Sequence, residues 1–197
     1  PGLWPAAHAQ GPDNWPQSPV KIIVPFTAGG ASDVLTRKLA EKLQARLGQA
    51  WTVDNRTGAG GNIGMEAVRT AAPDGLTIGS ATIGTLSINQ FLYPRLGYEP
   101  ESLGYVSTFW ANCNVVMVPA AHNPSRTLAD FIAWAKARPQ GISYGSSGNY
   151  GTSHVATESL AQAAGVKLLH VPYSGGAPTL TALLGPDPAA ATLLLVV

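Results

Sequence analysis

The chain has 197 residues, of which 45% are hydrophobic and 12% charged, and its formal net charge is +1. This length allows one large domain or two small ones. The near-zero charge argues against a nucleic-acid partner or an anionic membrane surface. The single cysteine, Cys113, excludes an intramolecular disulfide. The sequence contains no run of 18 apolar residues, so it predicts no transmembrane helix.

The first residues predict the end of a secretory signal. Ala7-His8-Ala9 is an A-x-A-like cleavage pattern. We therefore expect residues 1–14 to be a signal-peptide remnant or disordered, and the mature protein to be exported. An ordinary disordered N-terminus is the alternative.

Strand and helix patterns alternate along the first half of the chain. The apolar run Val20–Val24 predicts a buried strand. Ser32 is a candidate N-cap for a helix with leucines at four-residue spacing, which Gly48 ends. The further predicted elements are a strand at 51–54, a helix at 63–72, a strand at 76–82 and a short helix at 85–91.

The second half predicts the same alternation. The candidates are strands at 105–110 and 114–118, a helix at 128–137, a strand at 141–144, a helix at 152–164, a strand at 167–171 and a helix at 178–184. Repeated strand–helix–strand units favour an α/β fold with mostly parallel sheets flanked by helices. We expect one lobe at 15–108 and a second at 109–197, joined by crossing strands near 105–110.

Two small Gly/Ser-rich loops are the most informative feature. One spans 25–33 and the other 144–153, and each follows a predicted strand and opens a helix. Unpaired N–H groups and the helix dipole make such a helix start an anion site. The two loops together predict capture of a small anionic solute between two lobes.

These motifs resemble the solute receptors of the tripartite tricarboxylate transporters, the Bug receptors. The order and spacing of the matching motifs carry the resemblance. They are Trp15-Pro16, Val24-Pro25-Phe26-Thr27-Ala28-Gly29-Gly30 with Asp33, Leu47-Gly48-Gln49, Asn55-Arg56-Thr57-Gly58-Ala59-Gly60-Gly61, Pro73-Asp74-Gly75, Gly145-Ser146-Ser147-Gly148 with Thr152 and His154, His170-Val171-Pro172-Tyr173 and Gly175-Gly176.

The resemblance implies a two-lobed periplasmic-binding-protein-like fold that closes on a small carboxylate, such as a di- or tricarboxylate. It further implies a periplasmic, monomeric receptor without cofactor, which delivers its solute to the membrane components of a transporter. The implied ligand contacts at one end are Thr27, Ala28, Gly29, Gly30 and Asp33. Those at the other end are Ser147, Thr152 and Ser153, and Ala81 or Thr82 borders the cleft.

The chain departs from the family pattern near its end. Members of the family continue well beyond this point, whereas Pro186-Asp187-Pro188 here begins an Ala/Leu/Val tail. The tail is either a terminal strand or a segment outside the fold. We hypothesise a frameshift or truncation, which predicts a fold incomplete at its C-terminus and leaves a non-functional gene fragment as one alternative. An uninterrupted reading frame with a native stop would exclude the frameshift.

A secreted serine hydrolase is the alternative from a different class. Gly145-Ser146-Ser147-Gly148-Asn149 is one residue away from a G-x-S-x-G nucleophile elbow. Ser147 would be the nucleophile, served by His154 or His170, with Asp187 as the acid. We expect a receptor and no catalytic residue.

Other patterns have structural explanations that we favour. The loop 58–64 lacks the last glycine of a dinucleotide motif, where Ile63 stands, so we expect no nucleotide. His154 and Glu158 are spaced for a metal, but we expect an ordinary helix-surface pair and no metal. Asp33 either contacts the ligand or stabilises the start of its helix. Arg56 either faces the cleft or pairs with Asp54.

Overall fold

The computed structural model describes residues 15–111, 113–120 and 123–185, together with the backbone of Leu195–Val196. The predicted signal remnant at 1–14 lies outside the described residues, as does most of the tail from 186. Within the described part of the chain, no helix combines the length and the apolar character that crossing a membrane requires.

The first half folds around a three-stranded parallel sheet in the order β2-β1-β3. Its strands are β1 (Val20–Val24), β2 (Trp51–Asn55) and β3 (Thr77–Gly79). The register places Val20 beside Trp51 and Lys21 beside Thr77. Four of the five residues of β1 are buried, as expected for the central strand of a covered parallel sheet.

Helices pack on this sheet and fill its core. Helix α1 (Ala31–Leu47) contacts β1 and β2, and α2 (Asn62–Arg69) contacts β1 and β3. A 3-10 turn at Ala59–Gly61 precedes α2. One hydrophobic cluster joins Val20, Ile22, Ala40 and Trp51 with the flanking Leu43, Val53, Leu76 and Ile78.

The start of α1 corrects one prediction. The N-cap is Gly30, in extended conformation, and Ser32 lies inside the helix. The loop is held instead by Asp33, which reaches back to the amide of Gly29. The predicted end is confirmed: Gly48 has φ +75° and its N–H donates to Gln44 O, as in an αL C-cap.

The predicted strand at 76–82 is shorter than expected because β3 pairs only with residues 21–23 of β1. A π-helical turn (Gly84–Ile88), the short helix α3 (Asn89–Leu92) and a 3-10 turn (Pro100–Ser102) follow. The predicted helix at 85–91 is therefore present in an irregular form.

The predicted strand at 105–110 is wrong. Nothing within the described residues pairs with this segment, and Val106 is 90% exposed. A strand needs a partner for its backbone groups, so an apolar run alone does not form one. The predicted strand at 114–118 is reduced to β4 (Asn114–Val115), which pairs antiparallel with β7 (Leu195–Val196).

The second half is built on two parallel strands, β5 (Ile142–Ser146) and β6 (Leu168–Pro172). Its helices are α4 (Leu128–Lys136), α5 (Thr152–Ala164) and α6 (Gly176–Leu184), the last starting two residues earlier than predicted. A capping box of Thr127 and Asp130 begins α4. Phe131 of α4 and Tyr144 of β5 form the core of this second half.

Candidate ligand-binding cleft

A cavity of about 1410 Å³ is lined by residues from the loops of both parallel sheets. Five of the ten predicted contacts line it, namely Gly30, Ala81, Thr82, Ser147 and Thr152. The other five predicted residues, Thr27, Ala28, Gly29, Asp33 and Ser153, are not among the residues that line it. The structure thus brings residues of both predicted loops to one space.

Three helices begin at this cavity. The N-caps of α1, α5 and α6 are Gly30, Gly151 and Gly175, and none receives a side-chain cap from the described residues. Gly30, Gly151 and Gly176 line the cavity. Each helix start therefore presents unpaired amides and the positive end of its dipole to the same space.

Asp33 lies beneath the first loop and is only 3% exposed. One carboxylate oxygen, Oδ2, accepts from Gly29 N at 2.8 Å and from Arg37 Nε at 3.1 Å. The other, Oδ1, accepts from Asn55 Nδ2 and from an Arg37 terminal nitrogen, each at 3.0 Å. The side chain of Asn55 also donates to Phe26 O. The geometry gives Asp33 a role in holding the loop, and ligand contact stays a prediction.

The same contacts set the charge of Asp33. Burial works to raise the pKa of this carboxyl, while hydrogen bonds from Arg37, the Gly29 amide and Asn55, with the charge of Arg37, lower it. The lowering contacts prevail, and the pKa lies below its ordinary value. Asp33 is therefore ionised near neutrality, and its charge is neutralised locally by Arg37.

The second loop is held by serine hydroxyls. Ser147 Oγ lies 3.0 Å from Ser153 Oγ, and Ser147 N donates to Ser153 Oγ at 3.2 Å. The buried Ser146 Oγ accepts from Gly148 N and lies 2.6 Å from His170 Nε2. The histidine thus pairs with Ser146 rather than with Ser147, the residue that the hydrolase alternative requires.

The imidazole rings of His154 and His170 stack next to this loop, with ring centroids 3.7 Å apart. His154 Nδ1 accepts from Tyr150 N at 2.9 Å, and Tyr144 donates to Glu158. Burial, followed by the charge of His154, lowers the pKa of His170 to about 4, against the opposing effect of Glu158. Burial also lowers the pKa of His154. Both rings are neutral near pH 7, and among the described residues no cluster is suited to a metal.

The rim of the cavity next to β3 carries hydroxyl groups. Thr82 N donates to Thr85 Oγ1 at 3.0 Å, and this hydroxyl donates to Thr82 O. Ser80 is 2% exposed and lines the cavity, yet no polar atom of the described chain bonds its Oγ. Two further polar atoms of residues in this lining, Thr36 Oγ1 and Trp51 Nε1, are likewise buried without a hydrogen-bond partner in the described chain.

Close contacts join the two halves around the cavity, and glycines permit them. A Cβ at Gly175 would lie 2.0 Å from Thr27 Oγ1, and one at Gly60 would lie 3.0 Å from Asn149 O. Tyr93 and Tyr150 meet edge to face, with ring centroids 5.4 Å apart. The halves touch directly at these points.

Of the two roles predicted for Arg56, the structure shows the pairing with Asp54: Arg56 Nε donates to Asp54 Oδ2 at 3.0 Å. Arg56 is not among the residues that line the cavity. The glycines at 58, 60 and 61 have positive φ and lead into α2, which gives the loop 58–64 a structural role.

Sequence reasoning missed Gly176 and Ser80 as lining residues. The sequence did show a signal for Gly176, because a glycine pair stands at the start of α6 (N-cap Gly175, first helical residue Gly176) much as Gly29-Gly30 stands at the start of α1. Ser80 carried a weaker signal, a small hydroxyl residue at the carboxyl end of a strand.

The family model of the tripartite tricarboxylate transporter family receptor, TctC, matches residues 35–196. This match covers most of the chain. The chain belongs to the tripartite tricarboxylate transporter receptor family. This membership confirms the resemblance that the sequence motifs indicated, and a receptor family favours the receptor over the hydrolase alternative.

Individual relatives agree with this assignment. Protein BugT of Bordetella pertussis is 36% identical over 175 residues, which are 88% of this chain and 53% of BugT. A solved periplasmic transporter is 35% identical, with a TM-score of 0.86 over 91% of this chain and 59% of its own. R. palustris Rpa4515 with adipate is 33% identical, with a TM-score of 0.81 and the same coverage of both chains.

These structures confirm the α/β, two-lobed periplasmic-binding-protein-like fold class. The chain spans about half the length of the curated relatives it matches.

Proposed function

We propose that this chain is a periplasmic receptor that binds a small carboxylate in the cleft and delivers it, as a monomer, to the membrane components of a transporter. The observation that carries the proposal is the meeting of three glycine-capped helix starts at one cavity. The ligand of the similar R. palustris Rpa4515, adipate, is a dicarboxylate and supports the same ligand class.

The electrostatics of the cleft suit an anion. Each helix start carries about half a positive charge. No Asp or Glu stands among the described residues that line the cavity, and the one lysine or arginine there, Arg69, donates to Gly97 O. The attraction therefore comes from backbone amides and small hydroxyls.

The proposed contacts are those that the family resemblance implies, and five of them line the cavity. The first loop, with Thr27, Ala28, Gly29 and Gly30, borders one end of the solute, which meets the free amides of the first turn of α1. Asp33 keeps the loop in place by accepting from Gly29 N. The other end meets Ser147, Thr152 and Ser153, with Ala81 and Thr82 at the border. Hydrogen bonds from neutral amides and hydroxyls to a carboxylate are charge-assisted, so such donors can hold an anion without a cationic side chain.

A thermal melt of the purified 197-residue chain tests the proposal. The panel contains adipate, malate, glutamate and citrate, with the neutral diamide adipamide as control. An acid at a hundred times its Kd stabilises by about 2.7 kcal/mol, or about 5–11 °C for a chain of this size. No shift with any acid, or no cooperative melt at all, overturns the proposal for this chain.

A substitution at Gly30 makes the test specific to the cleft. A Cβ there would meet only ordinary contacts, 3.5 Å from Thr27 O and 3.7 Å from Gly176 N. Gly30→Asp supplies a carboxylate to the helix starts from within the chain. We expect it to abolish the response to the acid and to preserve or raise the melting temperature without ligand.

Gly30→Asn is the matched control, since it has the same shape and no charge. We expect it to retain more of the response than Gly30→Asp. Equal loss in the two variants would assign the effect to bulk rather than to anion binding.

A further inference from the structure

Two residues of the second loop have backbone conformations that depend on their surroundings. Tyr150 has φ +62°, in the left-handed region that a residue with a side chain adopts at a cost. Gly148 has φ +143°, a value that only glycine adopts readily. The neighbouring Ser147, Gly151 and Thr152 line the cavity. The contacts that hold Gly148 and Tyr150 therefore also set this end of the cleft.

Each of the two residues is held through a histidine. Tyr150 N donates to His154 Nδ1 at 2.9 Å. Gly148 uses both of its backbone groups on the buried Ser146 hydroxyl: its N–H donates to Oγ at 3.2 Å, and Oγ donates to its carbonyl oxygen at 3.0 Å. Ser146 Oγ in turn lies 2.6 Å from His170 Nε2. Two imidazoles thus attach the loop to α5 and β6.

The hydrogen count of these contacts assigns the tautomers of both rings. A serine hydroxyl has one hydrogen to donate, and Ser146 gives it to Gly148 O. His170 Nε2 therefore carries a hydrogen and donates it to Ser146 Oγ. His154 Nδ1 accepts from Tyr150 N, so it carries no hydrogen. All four bonds are satisfied together while both rings are neutral.

The two rings lie against each other, so a charge on one affects the other. Their planes are 10° apart and their centroids 3.7 Å apart. A proton on His154 Nδ1 removes the acceptor of Tyr150 N. A proton on His170 leaves its bond to Ser146 but adds a second positive charge to the stack, and like charges at this distance repel.

The groups around the stack leave it neutral near pH 7. Burial lowers the pKa of each ring, and Glu158, one turn after His154 on α5, opposes this. The carboxylate of Glu158 accepts from the hydroxyl of Tyr144 on β5. Lys167, just before β6, lines the same surface depression as His154 and Glu158 and adds a positive charge there. The ring of Tyr150 lies 5.6 Å from that of His154.

We infer that His154 and His170 are positioning residues of the second loop, which holds the acid firmly only while both rings are neutral. The inference rests on the proposed carboxylate-binding function and adds acid-sensitive release to it. Neither histidine is among the residues that line the cavity. Each acts through the backbone, His154 at Tyr150 and His170, by way of Ser146, at Gly148.

Paired variants test the positioning. His154→Asn places an amide oxygen near the position of Nδ1, whereas His154→Leu has the same shape and no acceptor. His170→Gln keeps an N–H donor near Nε2, whereas His170→Met does not. At pH 7 we expect each variant without the polar group to bind the acid about 2- to 10-fold more weakly than its partner, the effect of one neutral hydrogen bond. Equal Kd values within both pairs overturn the positioning role.

The pH profile tests the release. Wild type and His154→Asn are titrated calorimetrically with adipate, or with whichever acid of the panel gives the largest thermal shift, at pH 7 and near pH 4, where His170 titrates. The ratio of the two Kd values cancels the titration of the acid itself. We expect wild type to weaken about 2-fold or more beyond His154→Asn, which has no proton to gain at this position. A wild type that weakens no more than this variant overturns the acid-sensitive hold.

Amide NMR on the ligand-free wild type needs neither a ligand nor a variant that folds. We expect the Tyr150 amide to shift and to lose hydrogen-exchange protection with the midpoint of the His154 ring. The Gly29 amide is the control, because its acceptor Asp33 titrates only below 3.8. A Tyr150 amide that does not follow His154 refutes the inference. If it follows and none of the four acids binds, the proposed function and the release fail, and the positioning of the loop is supported.

Discussion

Replacement of Asp33 by Asn separates the two roles that the sequence left open for this residue. All four contacts of the carboxylate use its oxygens as acceptors, two from Arg37 and one each from Gly29 and Asn55. In Asp33→Asn one of these two oxygens is replaced by an NH₂ group, which cannot accept a hydrogen bond from the two donors that it faces. Two of the four hydrogen bonds are therefore lost, whichever way the amide turns.

The structure sets the size of the effect. A hydrogen bond to a charged group contributes about 1.5–3 kcal/mol, so two of them give about 3 kcal/mol at the lower value. Arg37 is 47% exposed and can turn to water, which reduces the loss to about 2 kcal/mol. For a chain of this size the melting temperature falls by about 4–8 °C.

The assay is a thermal melt at neutral pH and again well below pH 3.8, without ligand. The folded pKa of Asp33 is lowered, so its contribution is complete above 3.8 and is lost as pH falls through the lower folded pKa. The difference between wild type and Asp33→Asn should narrow in the acid sample. Glu41→Gln on the exposed face of α1 is the control, expected within about 0.5 kcal/mol of wild type.

One result would refute this reasoning. A variant that melts with the wild type at neutral pH, yet no longer responds to the acid that wild type binds, would make Asp33 a ligand contact and not a support of the loop.

Three further predictions follow from packing, strain and titration. Gly175→Ala places a Cβ against Thr27 at a residue whose φ is +155°, and urea unfolding should show a loss of about 1–3 kcal/mol in the free energy of unfolding. Gly165→Ala is the control, because its φ is also positive but the space around it is open, so it measures the conformational cost alone. Phe131→Ala removes a side chain 2% exposed and should cost about 3–5 kcal/mol; a loss below about 1 kcal/mol would place it outside the core. An NMR titration should give His170 a pKa near 4, and stability should fall from pH 6.5 towards 4, because only the unfolded chain binds the proton there. A pKa near 6.5 would contradict its burial against His154.

Local signals predicted much of the fold because they act over a few residues. The leucine spacing of α1, its C-terminal Gly48 and the apolar β1 all appear in the structure. The N-cap was misplaced because Ser32 is a good cap by type, whereas the loop is fixed by the reach of Asp33 to Gly29.

Segment 105–110 shows the limit of such signals. Its apolar and aromatic composition suits a strand, yet strand formation depends on a partner that composition does not specify. Exposure or burial of such a run is decided by the chain packed beside it.

The sequence by itself determined the alternation of strands and helices and the glycine-rich helix starts, because periodicity and backbone freedom are local properties. Only the tertiary structure decided that the starts of α1, α5 and α6 meet at one cavity, and that Ser80 is buried there without a partner. Gly30 and Gly176 are far apart along the chain. Their proximity follows from the packing of two sheets, which no short stretch of sequence encodes.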